Sequence, residues 1–304
     1  KFQMMVSEKF GYKHTSVPVE NISPFESLKS QSKYFSEPTF FPNLYIFDQL
    51  AKTASRENIA IMYDGQDGDT TISHGLERIF ELFQRKNIFL LVYEVIAYSF
   101  FNKVKLFNVI QFFLAQFLKK TGAKRFQSEN RSLIRDGIYS QVDNRITAFD
   151  THLEKIRNPL RSVALEINYQ FFKYHNIHTR SPFYDLLLTK YCCALPSKWK
   201  LRHGRGRFIL REYLRDNLSK IISDRPGKAN LSHGMIFNIG QKDIGLINAE
   251  VDKIHPEIEK IIDMQKLTEY VSCLQKKNNM TDSIVSSLVA FYVANRWLNS
   301  QDFK

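Results

Sequence analysis

Apolar positions in this chain recur mostly at three- and four-residue spacing, so most of it reads as helix. Pro24 to Ser36 predicts a first helix, and Glu37 to Asn43, EPTFFPN, a turn with two prolines. The next helix is PNLYIFDQLAKTASREN, where Pro42 sits near the start and its missing N–H costs nothing. The spacing in SHGLERIFELF predicts a helix from about Ser73. Two strongly apolar stretches follow, Ile88 to Phe101 (IFLLVYEVIAYSFF) and Val104 to Lys120. In the second, Lys105, Asn108, Gln111, Gln116 and Lys119 share one half of a helical wheel. The first holds Glu94 and falls short of the ~20 residues a membrane span needs. Together they predict a buried helix hairpin, with a membrane or partner surface as the alternative.

Gly122 to Ser132 reads as a basic polar loop, and Asp150 to Tyr174 as a long helix interrupted near Pro159. Pro182 to Leu195 and Arg207 to Ser219 are further helices, with a basic turn, Arg202 to Gly206, between them. Ser223 to Gly234 is a loop, and Ser283 to Asn299, apolar nearly all round, is a buried helix. Strand signals are confined to the first quarter. Lys13 to Glu20 alternates weakly, and the Ile-rich run Asn58 to Tyr63 suits a buried parallel strand. The fold class expected is α/β and mostly helical, a parallel sheet core with a large helical layer. No repeat or linker divides the chain, so residues 1–304 read as one domain.

Composition narrows the classes. With 304 residues, 25 Phe, 14 Tyr, 12 Gly and 9 Pro, the chain has ample core-forming material and is not disordered. Its three cysteines, two of them adjacent (Cys192 and Cys193), exclude a disulfide scaffold and suit a reducing compartment. The first residues, KFQMMVSEKFGY, contain no apolar signal region, so a cytoplasmic location is expected. The net charge is +12, from 43 Lys and Arg against 31 Asp and Glu. These charges are spread out, with no basic motif interleaved with aromatics, which argues against nucleic acid. A basic surface equally suits ATP or an acidic peptide.

Three loops carry candidate chemistry. Asp64-Gly65-Gln66-Asp67-Gly68-Asp69 follows a strand and precedes a helix. Ligands bind beyond the carboxyl ends of strands in open α/β sheets, and three carboxylates there suit Mg²⁺ and the phosphates it carries. A tight turn with an acidic N-cap is the other reading. An EF-hand is excluded, because position twelve of the loop is Gly75 rather than Glu. In GRGRFILREYLR, Arg207, Arg211 and Arg215 fall on one helical stripe, either a phosphate-binding row or a solvated basic face. In Asp224 to Gly234, DRPGKANLSHG, Arg225 and Lys228 stand among small residues, in the manner of mobile active-site loops. His175 and His178 lack companion ligands, and Cys192 and Cys193 read as core residues.

Taken in order, DGQDGD, RSPFYDLLL from Arg180, LPSKWKLRHGRGRFILRE from Leu195 and DRPGKANLS resemble the synthetase domain of the asparagine synthetase family. The second and third blocks are specific in order and spacing, and the resemblance runs from about Gly11 to the end. DGQDGDTTISHG, PNLYIFDQL and GKANLS look most like the branch that includes lasso-peptide macrolactam cyclases. The resemblance implies an adenine-nucleotide alpha-hydrolase-like (ATP-pyrophosphatase) core. It also implies an AMP-forming reaction: ATP activates a carboxylate as an acyl-adenylate, with Mg²⁺, and an amine then forms the amide. Substrates would be a peptide or a small carboxylate, and a protein that binds a precursor peptide is a conceivable partner.

By position, Asp69 matches the Mg²⁺-binding residue, while Asp64 and Gly65 match the loop lining the nucleotide. Arg207 matches the residue that holds pyrophosphate, and Lys228 the lysine that stabilises the amide-forming transition state. Arg225 accompanies Lys228, with one more residue between them than in asparagine synthetases proper. Gln66 stands where relatives carry Glu or Tyr. It can hydrogen-bond a substrate but cannot take a proton at neutral pH, so either another residue, with Glu94 as a candidate, deprotonates the amine or the amine arrives neutral. The family's S-G-G-x-D-S loop has no counterpart in the chain, which is therefore expected to lack that loop and the first strand.

Overall fold

A computed structural model describes residues 2–20, 22–121, 133–135, 149–226, 232–276 and 281–301. β1 (Ile61–Tyr63) pairs in parallel with β2 (His178–Arg180), Ile61 opposite His178 and Tyr63 opposite Arg180. The ladder extends through His178 N–H to Ala60 O (2.8 Å) and Asp64 N–H to Arg180 O (3.0 Å). β3 (Leu201–Arg202) and β4 (Arg205–Gly206) form an antiparallel pair. Strands therefore occur beyond the first quarter; two or three residues are too few to leave an alternating pattern. Lys13 to Glu20 forms no strand. It contains Pro18, which has no N–H to give a ladder. β1 is parallel as expected but not buried: Met62 turns to the core, while Ile61 and Tyr63 are 53% and 74% exposed.

The remainder is helical, in keeping with an α/β chain that is mostly helix. The larger core gathers Phe25, Tyr45, Phe171, Phe172, Leu267 and Tyr292, with the Phe25 and Tyr292 rings stacked at 4.5 Å. The helix Asp282–Gln301 supplies Leu288, Val289, Phe291 and Tyr292 to it, as its apolar pattern requires. Pro24–Lys29 is helical, with Ser23 as N-cap, and gives way at Ser30 to a 3₁₀ turn, Gln31–Lys33, shorter than expected. Asp150 to Tyr174 breaks at Pro159 into His152–Ile156, closed by a Thr151/Glu154 capping box, and Leu160–Tyr174. Pro182–Tyr184 is a 3₁₀ turn, and Asp185 caps the helix Leu186–Ala194.

A second, smaller core joins Ile79, Val109, Phe113, Phe149 and Leu201. The helix expected from about Ser73 starts later, at Glu77 (Glu77–Gln84), and an unexpected short helix, Gly68–Ile72, precedes it. Ser73 (φ 61°) and Gly75 (φ 72°) break them apart, and a β-carbon on Gly75 would lie 2.6 Å from the Leu201 nitrogen. Glu77, 5% exposed, anchors this region through Lys155 (3.2 Å) and the equally buried Lys200 (4.0 Å). The hairpin helices Ile88–Asn102 and Leu106–Thr121 also pack here, through Leu91, Val95, Tyr98, Val109 and Phe113. They are not a buried hairpin: Phe89 is 94% exposed and Phe100 88%. Both helices carry more apolar side chains than their one core-facing stripe can hold.

Candidate active site

The Asp64–Asp69 loop leaves the carboxyl end of β1, where parallel strands present ligand sites. Asp64 holds the loop to its neighbours. Its Oδ1 accepts Gln66 N–H (3.0 Å), and its Oδ2 accepts Asn168 Nδ2 (2.9 Å) and Ser181 Oγ (3.0 Å). Gly65 has open space where a β-carbon would stand, so backbone is accessible there. Gly68 lies against the Phe183 ring, 3.1 Å from an added β-carbon, and Thr71 Oγ1 donates to Phe183 O (2.7 Å). The RSPFYD segment is thus the scaffold on which the loop rests. Asp67 sits in the left-handed region at φ 66°, with its carboxylate held by Arg161 Nε at 2.7 Å. Asp tolerates that conformation better than most residues, and such strain gathers at functional sites.

The loop forms one wall of a cleft of about 840 Å³, lined among others by Gln66, Asp69, His74, Phe112, Lys155 and Arg161. Asp69, half-exposed, makes an ion pair with Arg207. Arg207 Nη2 also lies 3.1 Å from His74 Nε2. Arg207 reaches this point from the end of the β3–β4 turn, in a left-handed conformation at φ 54°. Gly204 fixes that turn at φ 68°, where a β-carbon would come within 2.2 Å of the Ala97 backbone. Glu94 Oε2 accepts the Gly204 N–H at 2.9 Å, and Tyr93 Oη lies 2.7 Å from His203 Nδ1. The exposed hairpin and the basic turn are therefore locked to each other.

These positions sort the sequence candidates. Gly65, Gln66 and Asp69 line the cleft, Arg207 reaches it through its ion pair with Asp69, Asp64 braces the loop from behind, and Glu94 lies elsewhere. The Glu94 carboxylate is 1% exposed, paired with Arg78 (3.5 Å) and the Gly204 amide. Both its oxygens are engaged and it is not among the residues lining the cleft, so it positions the basic turn. Arg225 is not at the cleft either; its guanidinium stacks 4.5 Å from the Phe2 ring centre. Lys228 lies outside the described residues, as does the basic loop Gly122 to Ser132. Of the arginine stripe only Arg207 contacts residues that line the cleft, Asp69 and His74. Arg211 donates to the carbonyls of Gly206, Ser223 and Arg225, and Arg215 pairs with Glu212 and Asp224.

The structure adds residues that the linear reading missed. Arg161 and Lys155 stand 90 or so positions from the loop they face. A helical pattern shows them as ordinary basic residues; only the placement of His152–Ile156 and Leu160–Tyr174 beside the cleft reveals them. His74 carried no signal in the sequence beyond its place in the SHGLERIFELF pattern, and its contact with Arg207 emerges only in the structure.

The donor set suits a magnesium–nucleotide. Arg161 and Lys155 supply positive charge along the cleft, and Arg207 adds its own at Asp69. Arg207 Nε is buried with no hydrogen-bond partner, an orphaned donor of the kind a phosphate oxygen satisfies. Among the described residues no three His, Cys, Asp or Glu side chains converge to hold a metal alone. Mg²⁺ is commonly bound by one or two carboxylates with waters and substrate phosphates, for which Asp69 is placed. No helix among the described residues is long and apolar enough to cross a membrane. No curated protein and no solved structure matches the chain. The family model described as asparagine synthase matches residues 1–299. The cleft loop, its Phe183 scaffold and the Arg207 turn all fall within that match, and the chain belongs to the asparagine synthase family.

Proposed function

We propose that this chain is an AMP-forming carbon–nitrogen ligase that uses ATP to join a carboxylate and an amine on a peptide. Family membership supports ATP-dependent amide formation in general. The observation that carries the site is the meeting of Asp69 and Arg207 at the end of a parallel strand, with Arg207 Nε left without a partner. In this reading the substrate carboxylate attacks the α-phosphorus of ATP, pyrophosphate leaves, and the amine displaces AMP from the acyl group. Mg²⁺, held through Asp69, would supply charge neutralisation on the phosphates. Arg207 and Arg161 stabilise the departing pyrophosphate, where fixed positive charge in a cleft is most effective. Gln66 orients a substrate amide or carboxylate by hydrogen bonds and moves no proton. Lys228 is assigned the transition state of the second step by its place in the DRPGKANLS block. The core surrounding the site is read as an adenine-nucleotide alpha-hydrolase fold.

A peptide substrate rests on the likeness of DGQDGDTTISHG and GKANLS to the macrolactam-forming branch, together with a cleft that is wide and lined by Phe112 and Leu160. A second reading, a catalytically silent relative that binds a peptide, has one observation behind it. Every carboxylate of the loop is already paired within the chain: Asp64 with Asn168, Asp67 with Arg161, Asp69 with Arg207. Chromatographic detection of AMP and pyrophosphate, with Mg·ATP and short peptides carrying Asp or Glu, separates the two. A ligase gives peptide-dependent AMP that falls about 100-fold in Asp69→Asn and in Arg207→Ala. Peptide binding with no AMP favours the silent relative, and AMP formation unchanged in both variants moves the site elsewhere.

A further inference from the structure

The helix hairpin exposes an apolar face that neither the cleft nor the core uses. On Ile88–Asn102, the exposed residues Phe89, Val92, Tyr93, Ile96 and Phe100 follow helical spacing along one side. Leu91, Val95 and Tyr98 occupy the opposite side and pack on the smaller core. Leu106–Thr121 repeats the arrangement: Phe107, Ile110 and Leu114 are exposed, while Val109 and Phe113 are buried in the same core. Both outer faces therefore point away from one common core. Exposed apolar surface of this extent marks an interaction site.

The charges around the face identify its occupant. From Leu82 to Lys120 the only carboxylate is Glu94, and it is buried beneath the helix. Arg85 and Lys86 precede the first helix, and Lys103 and Lys105 form the turn to the second; all four are exposed. Along Leu82–Lys105 the apolar face thus has bases at both ends and no exposed acid; the acids Asp150 and Glu154 are paired with Lys120 at the far end of the second helix. Two copies meeting through this face would oppose like charges at both ends. The most exposed rings, Phe89 and Phe100, project from the surface rather than lining a groove. Protruding rings flanked by long basic side chains suit a fluid, negatively charged surface, into which rings sink while lysines reach the headgroups. At 1.5 Å per residue, each helix is roughly 23 Å long, too short to cross a ~30 Å hydrocarbon core but able to lie in its surface.

We propose that the hairpin Ile88–Thr121 docks this protein on an anionic lipid surface, lying in the interface with Phe89, Ile96, Phe100 and Phe107 inserted. This inference is independent of the ligase reading. It also gives Tyr93 and Glu94 a second consequence, since the docked helix is the one that carries the Arg207 turn.

The test is co-sedimentation of the full chain with sucrose-loaded vesicles of phosphatidylcholine, alone or with 30 mol% phosphatidylglycerol. The expected result is binding to the anionic vesicles that weakens with salt and is at least tenfold weaker without phosphatidylglycerol. Phe89→Ser/Phe100→Ser should lower partitioning at least tenfold. Both side chains are almost wholly exposed, so its far-ultraviolet circular dichroism and melting temperature should match the parent's. Lys86→Glu/Lys103→Glu should lower it by a similar factor. Equal sedimentation with both vesicle types, no sedimentation, or binding indifferent to both double variants would overturn the proposal. So would a dimer in light scattering, dispersed by Phe89→Ser/Phe100→Ser and indifferent to vesicles, which would assign the face to a second copy.

Discussion

At the scale of single residues, the site depends on backbone conformations that side chains resist. Asp67, Ser73, His203 and Arg207 all have positive φ, as do Gly75 and Gly204, and all six lie in the segment from the cleft loop to Gly75 or at the turn that meets it. Gly204 has the sharpest steric reason, because any side chain would strike the Ala97–Tyr98 backbone of the hairpin. Gly204→Ala should displace the turn, pull Arg207 away from Asp69 and destabilise the chain by roughly 1–3 kcal/mol. Chemical denaturation checks the stability, and nucleotide affinity checks the site. Much of this was legible in the sequence as residue types: the Asp/Gly loop and the RHGRGR turn stand out as loops that carry chemistry. The pairing of Asp69 with Arg207 was not, because no local pattern reports a contact across 138 positions. Glu94 shows the converse. A lone carboxylate in an apolar helix suggests a proton acceptor, yet its partners, Arg78 and the Gly204 amide, make it an anchor.

At the scale of elements, the helices that form the cleft are joined by buried charge. Glu77 sits between Lys155 and Lys200, and burial holds the Lys200 ammonium below the usual lysine range even with Glu77 beside it. Glu77→Gln leaves Lys200 charged and buried with no carboxylate within ion-pair distance among the described residues. Breaking such a pair costs about 3–5 kcal/mol, so urea denaturation should show a loss of that order. His152, on the same helix as Lys155, joins it to Gly68–Ile72 and Leu186–Ala194, with its ring nitrogens 2.9 Å from Thr70 O and 3.1 Å from Cys192 O. Burial, aided by nearby Lys200, lowers its pKa below the usual 6.5. The unfolded chain therefore takes up a proton near pH 6.5 that the folded chain refuses, so this contribution to stability is lost as pH falls through that value. Half-buried His175 is shifted the same way. Melting temperature should fall between pH 7.5 and 5.5, above the range in which ordinary carboxylates titrate, and His152→Gln should flatten that slope. Helix positions were readable from periodicity, and the break at Pro159 from proline chemistry. The break at Ser73–Gly75 was hidden, because SHGLERIFELF keeps helical spacing across residues that tertiary contact with Leu201 bends out of the helix.

At the scale of the whole molecule, two cores hold a small parallel sheet and a helix hairpin on either side of one basic cleft. The sequence patterns conveyed the helical bulk and the parallel character of Asn58–Tyr63. They could not distinguish an apolar helix buried inside from one half-exposed on the outside, since both are written in Phe, Leu and Val. That is why the sequence left a buried hairpin and a membrane or partner surface as alternatives, and the exposed outer face was decided by the structure. The central claim is that Asp69 and Arg207 together form a nucleotide site, and isothermal titration of Mg·ATP into the full chain addresses it most directly. The account predicts saturable one-to-one binding, weakened at least tenfold in Arg207→Ala and made insensitive to Mg²⁺ in Asp69→Asn, with both variants retaining the parent's circular dichroism. No binding to the parent chain, or equal binding to the parent and Arg207→Ala, would contradict it.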